Sequence, residues 1–323
     1  MKIVFMGTPD LAAEVLDTMM KNGCEVTLAV TQPDRPKGRG RGVIKTPVHE
    51  CADKWGIPVF SPDKVKKPEA VARLREEAPD LIVVAAFGQI LSKEILEMPK
   101  YGCVNVHASL LPKYRGAAPI QWAVINGEEK SGVTIMQMDE GLDTGDILLQ
   151  EEIELTPEET GESLYNKMAA LGGELLVKTL PLIEEGKLTP VRQDDSKSCY
   201  ASMLKKEMGN IDWTMPAQKI ERLVRGLNSW PGAYTFLHGK MLKIWGASVV
   251  SDPGFQGPAG ADPALPEEPG TVAGTDRKAI YVYCGEGILS LNEVQYEGKK
   301  RMAVQAFLLG TKVERGTKLT RER

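Results

Sequence analysis

The chain has 323 residues, 42% of them hydrophobic and 26% charged, with a net charge of −4. That size holds one large or two medium domains with real cores, and the balance excludes wholesale disorder. Five scattered cysteines without a CxxC pair argue against a disulfide framework or a thiolate zinc site. Three histidines far apart in sequence (His49, His107, His238) point to no metal.

In chain order, residues 2–6 read directly as a strand, with no targeting segment before them. Thr8 is placed to cap a helix with Pro9 in its first turn, ending at Asn22-Gly23. A strand over 25–30 follows, then a helix opened by Thr46-Pro47 and closed at Trp55-Gly56. Residues 57–60 are extended, 67–78 helical, and 81–86 a continuous apolar strand of the kind buried on both faces. The longest wholly apolar run, 81–87, is too short for a bilayer, so a cytoplasmic protein away from membranes is expected. Strands over 103–106 and 133–138 enclose a helix over 120–125. Repeated strand–helix–strand units predict an α/β fold: a Rossmann-like, largely parallel sheet with helices on both faces. Leu164, Met168, Leu171 and Leu175 recur at helical spacing. Residues 161–186 therefore read as one amphipathic helix with Thr160 as N-cap and Gly186 at its end.

The polar stretch 189–206 reads as a linker between a first domain over 1–188 and a second over 207–323. In the second, a helix over 224–230 ends at Pro231. Short strands over 233–237, 241–250, 270–272, 279–283 and 287–294 predict a small, five-stranded OB-like β-barrel. Between positions 253 and 270, nine of eighteen residues are Pro or Gly, which reads as a loop between strands. Residues 205–323 carry 17 basic and 13 acidic side chains, against 23 and 31 in the remainder, a split compatible with a nucleic-acid partner for the second half.

Chemistry concentrates in residues 101–116. Val104-Asn-Val-His107 alternates apolar and polar, so Asn105 and His107 point to one face of a strand. An amide and an imidazole side by side can polarise a carbonyl and move a proton. Pro112 breaks the strand, and the basic turn Lys113-Tyr-Arg-Gly116 follows at a strand end, where open α/β sheets place ligands. A second segment, 132–146, closes in a Gly-rich acidic turn whose Asp143 could orient His107. Nucleotide cofactors are disfavoured, because the first turn reads Gly7-Thr-Pro-Asp10 rather than G-x-G-x-x-G and no P-loop sequence is present. Residues 34–45 hold five cations among glycines, Arg35, Lys37, Arg39, Arg41 and Lys45, a composition suited to phosphates.

Asn105-Val-His-Ala-Ser-Leu-Leu-Pro-Lys-Tyr-Arg-Gly116 and Gly141-Leu-Asp-Thr-Gly145 resemble the folate-dependent formyltransferases. So do Thr31-Gln-Pro-Asp-Arg35, Gly116-Ala-Ala-Pro-Ile-Gln121 and Ile211-Asp-Trp213, and the resemblance spans nearly the whole chain. It implies a one-carbon transferase that moves a formyl group from the cosubstrate 10-formyltetrahydrofolate to the α-amino group of initiator methionyl-tRNA, for translation initiation. Direct amine attack would pass through a tetrahedral intermediate. Asn105 is then the oxyanion donor, His107 the proton carrier, and Asp143 the carboxylate holding His107 or a bridging water. The resemblance places the folate along Phe87, Gly88, Gln89, Ile90 and Leu91 and along Ser109, Leu110, Leu111 and Pro112. It also implies that the 34–45 loop reaches the tRNA acceptor stem. Leu11 stands where the family often has Phe. A monomer is expected. A formyltransferase acting on an amino-sugar nucleotide shares the same three residues, but leaves the basic loop and the basic second half without a role.

Overall fold

In the computed structural model of the chain, which describes residues 1–36, 43–251 and 268–323, the apolar runs of the first half become one seven-stranded sheet. Its strands are β1 (Ile3–Gly7), β2 (Val26–Val30), β3 (Val59–Phe60), β4 (Leu81–Ala85), β5 (Cys103–His107), β6 (Lys130–Gln137) and β7 (Ile147–Glu154). They lie in the order β7-β6-β5-β4-β1-β2-β3. β1 to β5 pair in parallel, whereas β6 runs antiparallel to β5 and β7 antiparallel to β6. Every residue of β1 and β4 is buried, as the central strands of a sheet covered on both faces must be. β7 has no counterpart among the strands that the sequence predicts. It is an edge strand whose Glu151, Glu152 and Glu154 mask the alternation, since only one side of it needs apolar residues.

Helices α1 (Asp10–Lys21), α2 (Pro47–Trp55), α3 (Pro68–Glu76), α4 (Pro119–Asn126) and α5 (Gly161–Glu184) connect or cover these strands. α2 begins as its sequence dictates: the Thr46 hydroxyl accepts from His49 N, Pro47 sits in the first turn, and Gly56 closes the helix in the left-handed region. α1 does not. Pro9 occupies the N-cap position without a side-chain bond, and Thr8, expected to cap, donates its hydroxyl to Phe87 O at 3.0 Å. At the start of α5, Thr160 Oγ1 accepts from Ser163 N at 3.0 Å, and Met168 lies in the buried stripe.

The described residues form two compact units. The first comprises Met1–Pro119, Lys130–Leu155 and Leu164–Ser202, and the second Ile120–Glu129, Thr156–Ser163 and Met203–Arg323. In the first, Val4, Met6, Leu28, Val30, Ile82, Val84 and Phe87 belong to one core cluster with Leu74 and Ile95 from the flanking helices.

The second unit is built on α6 (Ala217–Gly226), β8 (Ala233–Leu237), β9 (Lys240–Val249), β10 (Val272–Thr275), β11 (Ile280–Tyr283), β12 (Ile288–Tyr296), α7 (Val304–Gly310) and β13 (Leu319–Thr320). The strands are antiparallel in the order β10-β11-β12-β9-β8-β13. The ends then meet, because Leu319 N donates to Gly270 O and Val272 N to Thr317 O, both at 2.8 Å, so the sheet closes on itself. Five strands match the expected barrel; β13, only two residues long, carries no periodicity to read. One correction concerns the helix expected to run to Pro231, which ends at Gly226. Pro231 has no N–H to offer, and the Leu227 carbonyl accepts instead from Gly232 N at 3.0 Å, which turns the chain away. The Pro/Gly-rich stretch falls largely on 252–267, outside the described residues. No helix among the described residues is long and apolar enough to cross a membrane.

Candidate active site

The chain runs outward from β1 towards β2 and β3, and from β4 towards β5, so the strand order reverses between β1 and β4. The crevice beyond the carboxyl ends of strands at such a reversal is where open α/β sheets bind ligands. Here the Phe87 carbonyl, just past β4, accepts from Thr8 Oγ1 at 3.0 Å and Gln32 Nε2 at 3.1 Å. One strand further along, β5 delivers Asn105 and His107 on one face at its carboxyl end.

The turn after β5 is pinned from β6. Buried Thr134 donates its hydroxyl to Ser109 O at 2.6 Å and accepts from Leu111 N at 3.1 Å and Gln150 Nε2 at 2.8 Å. Ser109 Oγ donates to Lys113 O at 2.7 Å, which tightens the same turn. Tyr114 then takes a positive φ of 60°, and its carbonyl faces His107 Nε2 at 2.9 Å. A carbonyl only accepts, so Nε2 carries the proton and the neutral ring keeps its lone pair on Nδ1. Nδ1 faces Asp143 Oδ2 at 3.8 Å, within ion-pair range for a protonated ring and too long for a hydrogen bond. The hydrogen bond that orients the ring is therefore the Tyr114 carbonyl rather than Asp143, and the sequence carried no signal for it.

Asp143 sits between β6 and β7 in a left-handed backbone conformation, φ 52°. Its carboxylate accepts from Gly116 N at 2.8 Å and, at a long 3.4 Å, from Asn105 Nδ2. Inside the turn, Asp139 Oδ1 accepts from Gly141 N at 3.0 Å and Thr144 Oγ1 at 2.7 Å. Gly145 must lack a side chain, since a Cβ there would strike the Gln137 carbonyl. Gly116 combines φ 109° with a close approach: its Cβ would lie 2.6 Å from the Tyr200 ring. Asn105, His107 and Asp143 thus meet at one place.

Residues 189–202 also lie against this site. Val191 bridges Ile147, and Tyr200-Ala201 pairs in parallel with Arg115-Gly116. Gln193, 6% exposed, donates from Nε2 to Asp143 O at 2.9 Å and Gly145 O at 2.7 Å. Its Oε1 accepts from Arg115 Nε at 3.0 Å and Nη2 at 2.8 Å, and Arg115 reaches on to Asp195 at 2.7 Å. A glutamine in a polar run looks solvated in sequence, and only the fold shows it is buried.

Of the residues expected around a folate, Phe87, Leu91, Ser109 and Leu111 are buried in the protein's own packing. Gln89 is held by Val65 N and Pro62 O. Leu110 packs towards Gly132, and Pro112 is half-buried after a cis peptide bond. Gly88 and Ile90 face outward, Gly88 with φ 80° and Ile90 82% exposed. A Lys93–Glu140 ion pair at 3.8 Å holds this segment beside the Asp143 turn, where Leu142 is 57% exposed. Exposed backbone at Gly88 beside the exposed aliphatic side chain of Ile90 suits contact with a flat heteroaromatic ring. Of the five expected phosphate-binding cations, Lys37, Arg39 and Arg41 lie outside the described residues. Arg35-Pro36 pairs with Val43-Ile44, and Lys45 is ion-paired with Asp53. Among the described residues no three His, Cys, Asp or Glu side chains gather to hold a metal ion.

The family described as formyl transferase matches residues 1–180, and the formyl transferase C-terminal domain matches 203–312. The chain belongs to the formyl transferase family. It is 52% identical over 320 residues to the methionyl-tRNA formyltransferase of Agathobacter rectalis, covering 99% of this chain and all of that one. It is 49% identical to that of Geobacter metallireducens, covering 99% and 98%. Among solved structures, the sugar 3N-formyltransferase WlaRD, crystallised with dTDP and 5-N-formyl-THF, shares the fold at TM-score 0.64 and 19% identity, over 93% of this chain and 99% of that one.

Proposed function

We propose that this chain transfers a formyl group from 10-formyltetrahydrofolate to the α-amino group of initiator methionyl-tRNA. The observation that carries the reading is the meeting of Asn105, His107 and Asp143 at the end of β5, in a chain half identical, end to end, to enzymes of that name. The folate supplies an activated formyl group, held along the 87–91 segment at Gly88 and Ile90 and against the Ser109–Pro112 turn.

Asn105 donates its amide N–H to the formyl oxygen as negative charge develops there. Its only bond among the described residues is long, so the donor is ready to re-aim. His107 takes the amine proton at Nδ1, because Nε2 is already committed to Tyr114 O, and returns it to the leaving nitrogen. Asp143, 3.8 Å away, stabilises the ring while it is charged. Its carboxylate is fixed by Gly116 N, so little reorganisation accompanies the proton's arrival. An amine is nucleophilic enough once neutral, and no protein atom needs to bond covalently to substrate.

Arg35, Lys37, Arg39, Arg41 and Lys45 meet the phosphates of the tRNA acceptor stem, an interaction that weakens with added salt. We assign 1–188 to catalysis, 189–206 to a linker whose first part, through Ser202, lies against the catalytic site, and 207–323 to tRNA binding, and place the enzyme in the cytoplasm as a monomer without a metal.

The test is formyl transfer to charged initiator tRNA by the wild type and His107→Ala side by side. We expect wild-type transfer and a fall of about 100-fold or more in kcat for the variant. Transfer to a nucleotide-linked amino sugar but not to methionyl-tRNA would overturn the reading.

A further inference from the structure

We infer that Gln193 is a positioning residue for formyl transfer: it clamps the Asp143 turn to Arg115 and so holds the Asp143 carboxylate where His107 and Asn105 meet it. The inference rests on the catalytic reading of that trio.

The side-chain amide of Gln193 is a fork with one possible orientation. Its NH2 end faces two carbonyls, Asp143 O at 2.9 Å and Gly145 O at 2.7 Å, which can only accept. Its oxygen faces the Arg115 guanidinium at 2.8 and 3.0 Å, which can only donate. Neither end could be flipped without setting like against like. Both partners belong to segments that touch Asp143. The carbonyls are those of its own turn, and Arg115 precedes Gly116, whose N–H holds the Asp143 carboxylate at 2.8 Å. Gln193 therefore closes a ring: carboxylate to Gly116, Arg115 to the glutamine oxygen, glutamine nitrogen back to the Asp143 backbone. That backbone is in the left-handed region at φ 52°, which Asp adopts more readily than most residues but at a cost that the bonds of its turn offset. Gln193 is buried, so water does not readily replace it. Asp195 on Arg115 at 2.7 Å anchors the far end.

The chemistry makes the side chain hard to replace. Asn has the same amide but lacks the length to span both partners. Glu has the length but would set a carboxylate oxygen against two carbonyls. Releasing the clamp lets the Asp143 turn drift, and displacements near 1 Å at a reacting group cost on the order of 100-fold.

The experiment is a double-mutant cycle on the full chain, assayed with 10-formyltetrahydrofolate and initiator methionyl-tRNA. Gln193→Asn and Gln193→Leu should lower kcat by about 10- to 100-fold with KM for both substrates within about threefold. In the Asp143→Ala background the same changes should lower it further by less than about twofold, because the residue acts through Asp143. Should the Gln193 variants fail to fold, Arg115→Met, which removes only the anchor of the fork, should show a smaller kcat loss with the same non-additivity. A merely structural role predicts losses that multiply in full. Full multiplication, or a folded Gln193→Leu with near wild-type kcat while His107→Ala collapses, overturns this inference alone. An undiminished rate in His107→Ala overturns it together with the catalytic reading.

Discussion

Each unit brings charged and polar side chains together in a partly buried cluster, and the two clusters differ in how their side chains are engaged. In the second unit, Arg225 grips Glu221 through Nε at 2.5 Å and Nη2 at 3.0 Å, and donates from Nη1 to Glu159 O at 2.6 Å. Glu159, itself buried, accepts from Ser163 Oγ at 2.5 Å. Each of these groups has a partner of the right kind, donor to acceptor. In the first unit the backbone around the site is equally well bonded, but the side chains are left short. His107 uses one ring nitrogen, and Asn105 makes a single stretched contact at 3.4 Å. A cluster whose backbone frame is bonded while its side-chain tips keep bonding capacity suits the catalytic role proposed for it.

The contrast can be broken by substitution. Asn105→Ala should have the largest effect, a loss of about 100-fold or more in kcat, roughly 3 kcal/mol of transition-state stabilisation, with an almost unchanged denaturation midpoint. Loss of fold rather than rate would place Asn105 with the structural cluster. Arg225→Met should do the reverse: about 2–3 kcal/mol off the unfolding free energy in urea, since Glu221 loses its partner, with kcat of the folded enzyme close to wild type.

A smaller effect sharpens the comparison with a third, surface-lying cluster. Asp17 in α1 feels burial that would raise its carboxyl pKa, but Lys21, Lys54 and Trp55 donate to it and hold it well below the usual carboxylate range. A lowered folded-state value stabilises the protein fully above the unfolded carboxylate value near 4, and is lost as pH falls through the folded value. Asp17→Asn should therefore cost about 1 kcal/mol at pH 7, and the gap to wild type should narrow below pH 4 in acid-denaturation titrations. A gap unchanged between pH 7 and pH 2 would mean the pairs act by packing rather than charge.

Much of this was legible before the fold was known, for identifiable reasons. α2 carries its own start and stop in Thr46-Pro47 and Gly56, and β4 declares itself by an unbroken apolar run. Asn105 and His107 share a face because strand side chains alternate strictly. What escaped was information held by the backbone or by distant pairing. The Tyr114 carbonyl reaches His107 because a tyrosine adopts φ 60°, which nothing in its side chain announces. Gln193 is buried by contacts with residues about fifty and eighty positions earlier. The polar stretch around it has the composition of solvated chain, and composition is a local property.

The Val191–Ile147 bridge and the Tyr200–Gly116 approach have a bearing on when this site comes into being. A nascent chain that has emerged only to residue 188 already carries Asn105, His107 and Asp143. It still lacks Gln193 and the Tyr200-Ala201 strand that press their turns into place. Domains commonly begin to fold as they leave the ribosome, first residues first. Here the sheet can form early, and on the role proposed for Gln193 the chemistry waits for the next dozen residues, which puts catalytic competence later in synthesis than the fold that bears it.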